Sequence, residues 1–257
     1  PLNRSYADNI TYTAGYILET NDTFDSKRIQ TGISLPSENK YGWQQNLTLE
    51  LQRDDYELAS REDVSVLVIP GISLSKSRAD DLINPSHGWK LLSSLKGASN
   101  TLLSDTTFVQ FYSSAKLVQG WGDFRLLSRA ELGATWIDDT LELPASLRFF
   151  AGGDQSVRGF DFRSLGPVNP ESTEVEGGKQ LLVGSVEVDY RVHPNWRIAI
   201  FADAGNAFNF NNKRDFRYSA GVGIRWMSPI GPLRFDLAHP VDADESFRIH
   251  ITMGPDL

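Results

Sequence analysis

Asn195-Trp196-Arg197-Ile198-Ala199-Ile200-Phe201-Ala202-Asp203 alternates, residue by residue, between two kinds of side chain. Trp196, Ile198, Ile200 and Ala202 fall on one side; Arg197, Ala199, Phe201 and Asp203 fall on the other. Successive side chains of an extended strand point to opposite faces, so the stretch reads as a strand with one apolar and one mixed polar face. Phe216 to Trp226 repeats the scheme, with Phe216, Tyr218, Ala220, Val222, Ile224 and Trp226 opposed to Arg217, Ser219, Gly221, Gly223 and Arg225. Near the end, Phe247, Ile249, Ile251 and Met253 oppose Arg248, His250 and Thr252. Helical periodicity is scarce elsewhere. The alternation predicts an all-β protein of about twelve strands, near 10–19, 26–35, 41–53, 62–75, 88–99, 105–119, 122–136, 181–192, 195–204, 216–227, 231–238 and 246–254. Several of these approach or exceed the roughly 9–11 residues with which a tilted strand crosses a bilayer. Short connections such as His193-Pro194-Asn195 and Gly120-Trp121-Gly122 alternate with longer ones, and one runs from about 137 to 180. Loops longer than about 12–15 residues are usually functional or disordered.

A soluble sandwich and a membrane barrel both alternate, so the polar face must separate them. The outer face of a sandwich meets bulk water. Here that face mixes Arg, Asp, Glu, Ser, Gly and Thr and is sparse in Lys, while the apolar face carries Tyr12, Tyr16, Trp43, Trp89, Trp136, Trp196, Tyr218 and Trp226 toward strand ends. Aromatic girdles at both interfaces are a mark of transmembrane barrels. The mildly negative mean hydropathy follows from averaging a lipid-facing coat with a polar lumen. Composition removes other classes. The 257 residues include no cysteine, which excludes disulfide scaffolds, thiol redox chemistry and Cys-ligated metals. A net charge of -8 argues against a nucleic-acid partner recognised by phosphate neutralisation. No apolar run reaches the roughly 18–20 residues of a membrane-spanning helix. The chain opens at Pro1 with neither a basic nor an apolar leader, and is read as a C-terminal piece of something longer.

The most distinctive stretch is Leu147-Arg148-Phe149-Phe150-Ala151-Gly152-Gly153-Asp154-Gln155-Ser156-Val157-Arg158-Gly159-Phe160, followed by Ser164-Leu165-Gly166-Pro167 and, later, by Phe201-Ala202-Asp203-Ala204-Gly205-Asn206-Ala207. These segments resemble the outer-membrane assembly-factor superfamily, which includes the barrel-assembly-machinery subunit, two-partner-secretion transporters and the outer-membrane subunit of the translocation and assembly module. The closing Gly221-Val222-Gly223-Ile224-Arg225-Trp226-Met227-Ser228-Pro229, continuing through Phe235-Asp236-Leu237-Ala238-His239-Pro240 to Met253-Gly254-Pro255-Asp256-Leu257, is most similar to that last branch. The resemblance is close from about Arg148 onward and rests on strand pattern before it.

The resemblance implies a bacterial outer-membrane barrel without enzymatic activity or cofactor, in which the loop 137–180 folds into the lumen. The loop motif would be Gly152, Gly153, Asp154, Val157, Arg158, Gly159 and Phe160. Arg158 would dock on Glu187 and Asp203, with Phe201 as the stacking ring. Strand parity alone leaves Asp189 open as a rival, because Glu187 and Asp189 share a face. A planar guanidinium in a partly dehydrated lumen suits bidentate carboxylate pairing and aromatic stacking. Arg158 would either anchor a plug or take part in gating or folding. The implied partners are outer-membrane lipid, client outer-membrane proteins and an inner-membrane-anchored partner across the periplasm. The implied role is insertion or secretion of β-barrel and autotransporter-type proteins; a two-partner-secretion polypeptide pore is the alternative.

The family barrel has sixteen strands with this loop between the eleventh and twelfth. Five strands follow the loop here and about seven precede it, so residues 1–257 are expected to be strands five to sixteen, without the periplasmic polypeptide-transport-associated modules. The first and last strands, near 10–19 and 246–254, are expected to close a twelve-stranded barrel, or else to pair between chains, because unpaired backbone groups in hydrocarbon cost several kcal/mol each. An outer-membrane phospholipase is a further alternative, but His87 and His193 read as turn residues, His239 precedes Pro240 and His250 points lumenward, none of them the lipid-facing mid-strand placement that activity needs. No two histidines have metal-ligand spacing. The acidic cluster Asp236, Asp242, Asp244 and Glu245 reads as a solvated turn.

Overall fold

The computed structural model describes residues 10–58, 61–170, 174–209, 215–242 and 246–257. Its strands are β1 (Thr11–Thr20), β2 (Phe24–Glu38), β3 (Gln44–Leu58), β4 (Arg61–Ala79), β5 (His87–Ala98), β6 (Phe108–Trp121), β7 (Phe124–Trp136), β8 (Gln180–His193), β9 (Trp196–Phe208), β10 (Arg217–Ser228), β11 (Gly231–Pro240) and β12 (Arg248–Met253). They form one sheet in chain order, each strand antiparallel to the next. The burial of β9 alternates strictly over its first eight residues: Trp196, Ile198 and Ile200 are exposed, while Arg197, Ala199, Phe201 and Asp203 are buried. The outward face carries a continuous apolar coat that includes Leu49, Leu51, Leu117, Val186, Ile200, Val222 and Ile251. Such an expanse of exposed hydrophobic surface is tolerated where the solvent is lipid. Trp196 stacks on Trp226 at 5.4 Å at the end bearing the short turns, and Trp136 and Tyr218 lie at the other.

Several strands run further than their sequence suggests, β2, β3, β4 and β9 by three to five residues at their C-terminal ends. β3 continues to Leu58 through Arg53-Asp54-Asp55-Tyr56-Glu57, a polar run that looks like a loop. Asp54 faces inward, where it accepts hydrogen bonds from Ser26 and Ser146, so its oxygens are satisfied inside rather than by bulk water. β9 extends through Gly205-Asn206-Ala207-Phe208, paired with Val183 to Gln180 of β8, and Asn206 donates to the carbonyl of Asp215.

The expected closure of the barrel is corrected by the structure: the sheet is open, and among the described residues no ladder joins β1 to β12. Both edges are tied instead to one turn of the inserted segment. Arg248 of β12 pairs with Asp161, and Glu19 of β1 pairs with Arg163 at 2.6 Å. Thr23 adds a hydrogen bond to the Arg163 carbonyl at 3.0 Å. Two side-chain bridges in series span more than the roughly 4.7–4.9 Å of a backbone ladder, so the turn stands where direct pairing would have to occur.

The segment 137–179 lies against the inner face. It contains two 3-10 turns, Thr140–Glu142 and Ala145–Leu147, and antiparallel bridges Phe149 to Gly178, Ala151 to Leu165 and Val168 to Val175. Residues 171–173 of the expected loop lie outside the described residues. Leu143 and Leu147 pack on Leu67, Ile69 and Phe108 of the inner wall. Further along, Val157 and Phe160 pack with Leu181, Val183 and Ala207. At the opposite end the turn 80–86 is built on Asp80, whose carboxyl is held below its usual range by backbone N–H groups of His87, Ser86 and Asp81.

Candidate functional site: the buried arginine of the inserted loop

The tip of the inserted segment turns on glycines. Gly152, Gly153 and Gly159 all have positive φ, near +98°, and a Cβ on Gly152 would lie 2.3 Å from the Asp161 carbonyl oxygen. Only glycine enters that region without strain and permits so close an approach. The turn delivers Arg158 to the inner wall, with a relative exposure of 5%. Its Nε donates to Asp203 Oδ2 at 2.8 Å and its Nη2 to Asp203 Oδ1 at 2.9 Å, the two-pronged geometry that gives charge-assisted pairing its strength. The Arg158 backbone N–H donates to the same carboxylate at 3.0 Å. Nη1 donates to Glu187 and to Asp236, each at 3.1 Å, and Nη2 donates to Ser185 at 3.2 Å. The guanidinium lies 3.4 Å from the centroid of the Phe201 ring. Glu187, Phe201 and Asp203 therefore converge on Arg158.

Asp189, the rival partner, lies elsewhere. It sits two residues further along β8, fully buried between Arg125 at 2.6 Å and Arg197 at 2.7 Å. Arg125 also donates to the Pro85 carbonyl and pairs with Asp256, which in turn pairs with Arg234. The inner wall thus carries two arginine–carboxylate clusters at different depths. Arg225 extends the upper one: it donates to both oxygens of Glu187, at 2.8 and 2.7 Å, and pairs with Asp236 at 2.6 Å.

Two members were not legible as such. Asp236 is buried inside the Arg158–Arg225 cluster, which corrects its reading as part of a solvated turn. The parity signal was present: in Phe235-Asp236-Leu237 the flanking apolar residues face lipid, so the aspartate must face inward. Of its supposed companions, Asp242 accepts from the Tyr218 N–H, while Asp244 and Glu245 lie outside the described residues. His250 is the other. Its Nε2 accepts the Gly159 N–H at 3.1 Å and its Nδ1 contacts Asp154, so the neutral ring carries its proton on Nδ1 and clamps both sides of the loop tip. His87 and His193, read as turn residues, are the first residue of β5 and the last of β8.

Glycines on the wall make room for the stack. A Cβ on Gly221 would lie 2.4 Å from Phe201 Cζ and 2.3 Å from the Leu237 carbonyl oxygen. Gly221→Ala should displace the ring from Arg158 and cost about 1–3 kcal/mol, the usual range for overpacking. Gly184→Ala, where an added Cβ meets nothing within 4 Å, should be silent. The temperature at which the folded band disappears on semi-native gels distinguishes the two; equal shifts would mean the stack does not depend on that space.

Residues 4–256 match the Omp85 superfamily domain. The chain belongs to the Omp85 superfamily. With its lipid-facing coat and polar interior, it is a β-barrel protein of the bacterial outer membrane. Among its relatives, an outer membrane protein assembly factor BamA of Nitratidesulfovibrio vulgaris is 31% identical over 140 residues, covering 50% of this chain and 18% of that protein. BamA of Neisseria meningitidis serogroup B is 26% identical over 227 residues, covering 71% of this chain and 28% of that one. The chain thus spans less than a third of the length of either relative. In fold it is similar to BamA from Haemophilus ducreyi lacking POTRA domains 1–3, with a TM-score of 0.81 at 19% identity over 96% of this chain and 58% of that one. It is also similar to CdiB from Escherichia coli, with a TM-score of 0.60 at 14% identity over 94% and 48%.

Proposed function

We propose that this chain is the barrel portion of a larger outer-membrane assembly and translocation factor, one that helps insert or secrete β-barrel and autotransporter-type proteins. Membership of the superfamily across nearly the whole chain supports this reading, as does the naming of its relatives as outer membrane protein assembly factors. The observation that carries it is the inserted segment. A segment that only filled space would need apolar contacts, whereas this one carries an arginine into a wall of acidic residues. Arg158 on Glu187, Phe201 and Asp203 is the element that orders the loop, and the barrel around it, for work on client proteins.

The edge of β1, which pairs with no strand but β2 among the described residues, suits the arrangement expected from strand counting, in which this chain supplies strands five to sixteen and further strands and periplasmic modules precede it. The translocation-and-assembly branch, suggested by the closing residues 221–257, adds an inner-membrane-anchored partner that spans the periplasm. A strain lacking the full-length protein tests the reading. Pulse-labelled autotransporter barrels should accumulate in a protease-sensitive, unfolded form, and the defect should be repaired by the wild-type gene but not by Arg158→Ala. Normal client assembly in the deletion strain would overturn it. Recovery of an inner-membrane protein after crosslinking in intact cells would support the finer branch; recovery of a single secreted exoprotein, with no defect in barrel assembly, would favour the two-partner-secretion pore.

A further inference from the structure

Outside the arginine clusters, the inner wall carries an arrangement that a resting fold would avoid. Lys90 of β5 lies directly opposite Lys116 of β6, and Lys116 lies directly opposite Arg129 of β7. Like charges at directly paired positions destabilise a sheet. The charged groups that bear most strongly on Lys116 are Arg234, Arg129 and Lys90, with Glu131 as the carboxylate among them. That carboxylate is already engaged: it accepts from the Tyr112 hydroxyl at 2.9 Å and lies 3.8 Å from Arg129. Of the other carboxylates nearby, Asp161 pairs with Arg248 and Asp203 with Arg158, while Asp154 is turned onto the His250 ring by a hydrogen bond. Among the described residues neither the Lys90 nor the Lys116 side chain has a hydrogen bond or ion pair. Lys116 and Arg129 line a cavity of about 760 Å³ between the β6–β7 wall and the inserted loop, together with Ser114, Gln155 and Phe162.

We propose that this cavity is a binding site for an acidic polypeptide segment in extended conformation, whose carboxylates supply counter-charge to Lys116 and Arg129 on its wall and to Lys90 one strand beyond it. The inference rests on the reading of the chain as a protein that handles other polypeptides. Three cations set one strand apart, at about 4.7–4.9 Å, span some 10 Å. That length exceeds a single small anion and matches two same-side carboxylates of a strand, about 6.6–6.8 Å apart, reached by flexible lysine arms. The size lies in the range of built ligand pockets, about 300–1,000 Å³. Hydroxyl and amide groups beside an aromatic ring suit a peptide backbone with mixed side chains.

The test uses the protein in lipid nanodiscs and a fluorescein-labelled peptide with Asp at every second position, beside the same peptide with Asn. The acidic peptide should bind and the Asn peptide should not. Lys90→Gln with Lys116→Gln should weaken binding at least tenfold while leaving the barrel as heat-resistant as the wild type, or more so, because repulsion is relieved. A merely structural role would lower heat resistance instead. Equal binding of both peptides, unchanged affinity in the double variant, or a site satisfied by pyrophosphate with no preference for the acidic peptide would each overturn the proposal. Because binding is read on the isolated protein, normal client assembly in the deletion strain alongside intact peptide binding would remove the assembly function and leave the site standing.

Discussion

Arg158→Ala should lower the stability of the folded barrel by about 3–5 kcal/mol, the cost of removing one partner from a buried charge cluster. Asp203 loses every Arg158 side-chain bond and keeps Ser185, at 2.6 Å, among its ligands. Glu187 and Asp236 keep Arg225 as their shared cation. The loop tip would keep the apolar contacts of Val157 and Phe160, the His250 clamp, the Arg129 bond to the Ser156 carbonyl and the edge bridges at Asp161 and Arg163, but would lose its charged anchor in the wall between them. Protease sites within 150–165 should therefore open in the folded protein, and the folded band should disappear at a distinctly lower temperature. Arg158→Lys should restore little, because an ammonium cannot address Asp203 through two parallel bonds while lying flat on Phe201. A loop as protected as the wild type would mean that packing, not the arginine, holds it.

Asp189→Ala should be comparably destabilising, again about 3–5 kcal/mol, for the same reason at a different depth. Arg125 would retain Asp256 and the Pro85 carbonyl, but among the described residues Arg197 would keep only the Asp123 carbonyl at 3.2 Å. The two variants separate by their second readout. Among the described residues Asp189 has no hydrogen bond or ion pair to the inserted segment, so the loop should stay protected in Asp189→Ala until the whole barrel unfolds. Early cleavage of the loop in that variant would mean that the two clusters act as one.

Most of the strand plan was legible because a two-residue period reports directly on a wall with lipid on one side and polar groups on the other. It failed where the interior itself is polar. Arg53-Asp54-Asp55 resembles a loop only if water is assumed to be its solvent, and inside the sheet Asp54 is matched by Ser26 and Ser146. Parity placed Glu187, Asp189, Phe201 and Asp203 on the inner face but could not choose between Glu187 and Asp189. Two residues along a strand change depth, not side, and depth is fixed by where the loop ends. The roles of His250 and Asp236 were hidden for the same reason: each is set by contacts more than 70 residues away in sequence, Gly159 for one and Arg158 for the other. The open seam lay beyond reach too, since it depends on the bridges from Asp161 and Arg163 rather than on the edge strands themselves.

The claim that Arg158 docks the loop through Asp203 is tested most directly by a double-mutant cycle on these two residues, read by protease protection of the loop in outer-membrane vesicles. If the pair acts as a unit, Arg158→Ala and Asp203→Ala each open the loop and the double variant is little worse than either, a coupling in the 0.5–3 kcal/mol range of groups in direct contact. Additive effects, with the double variant losing the sum of both, would contradict the account.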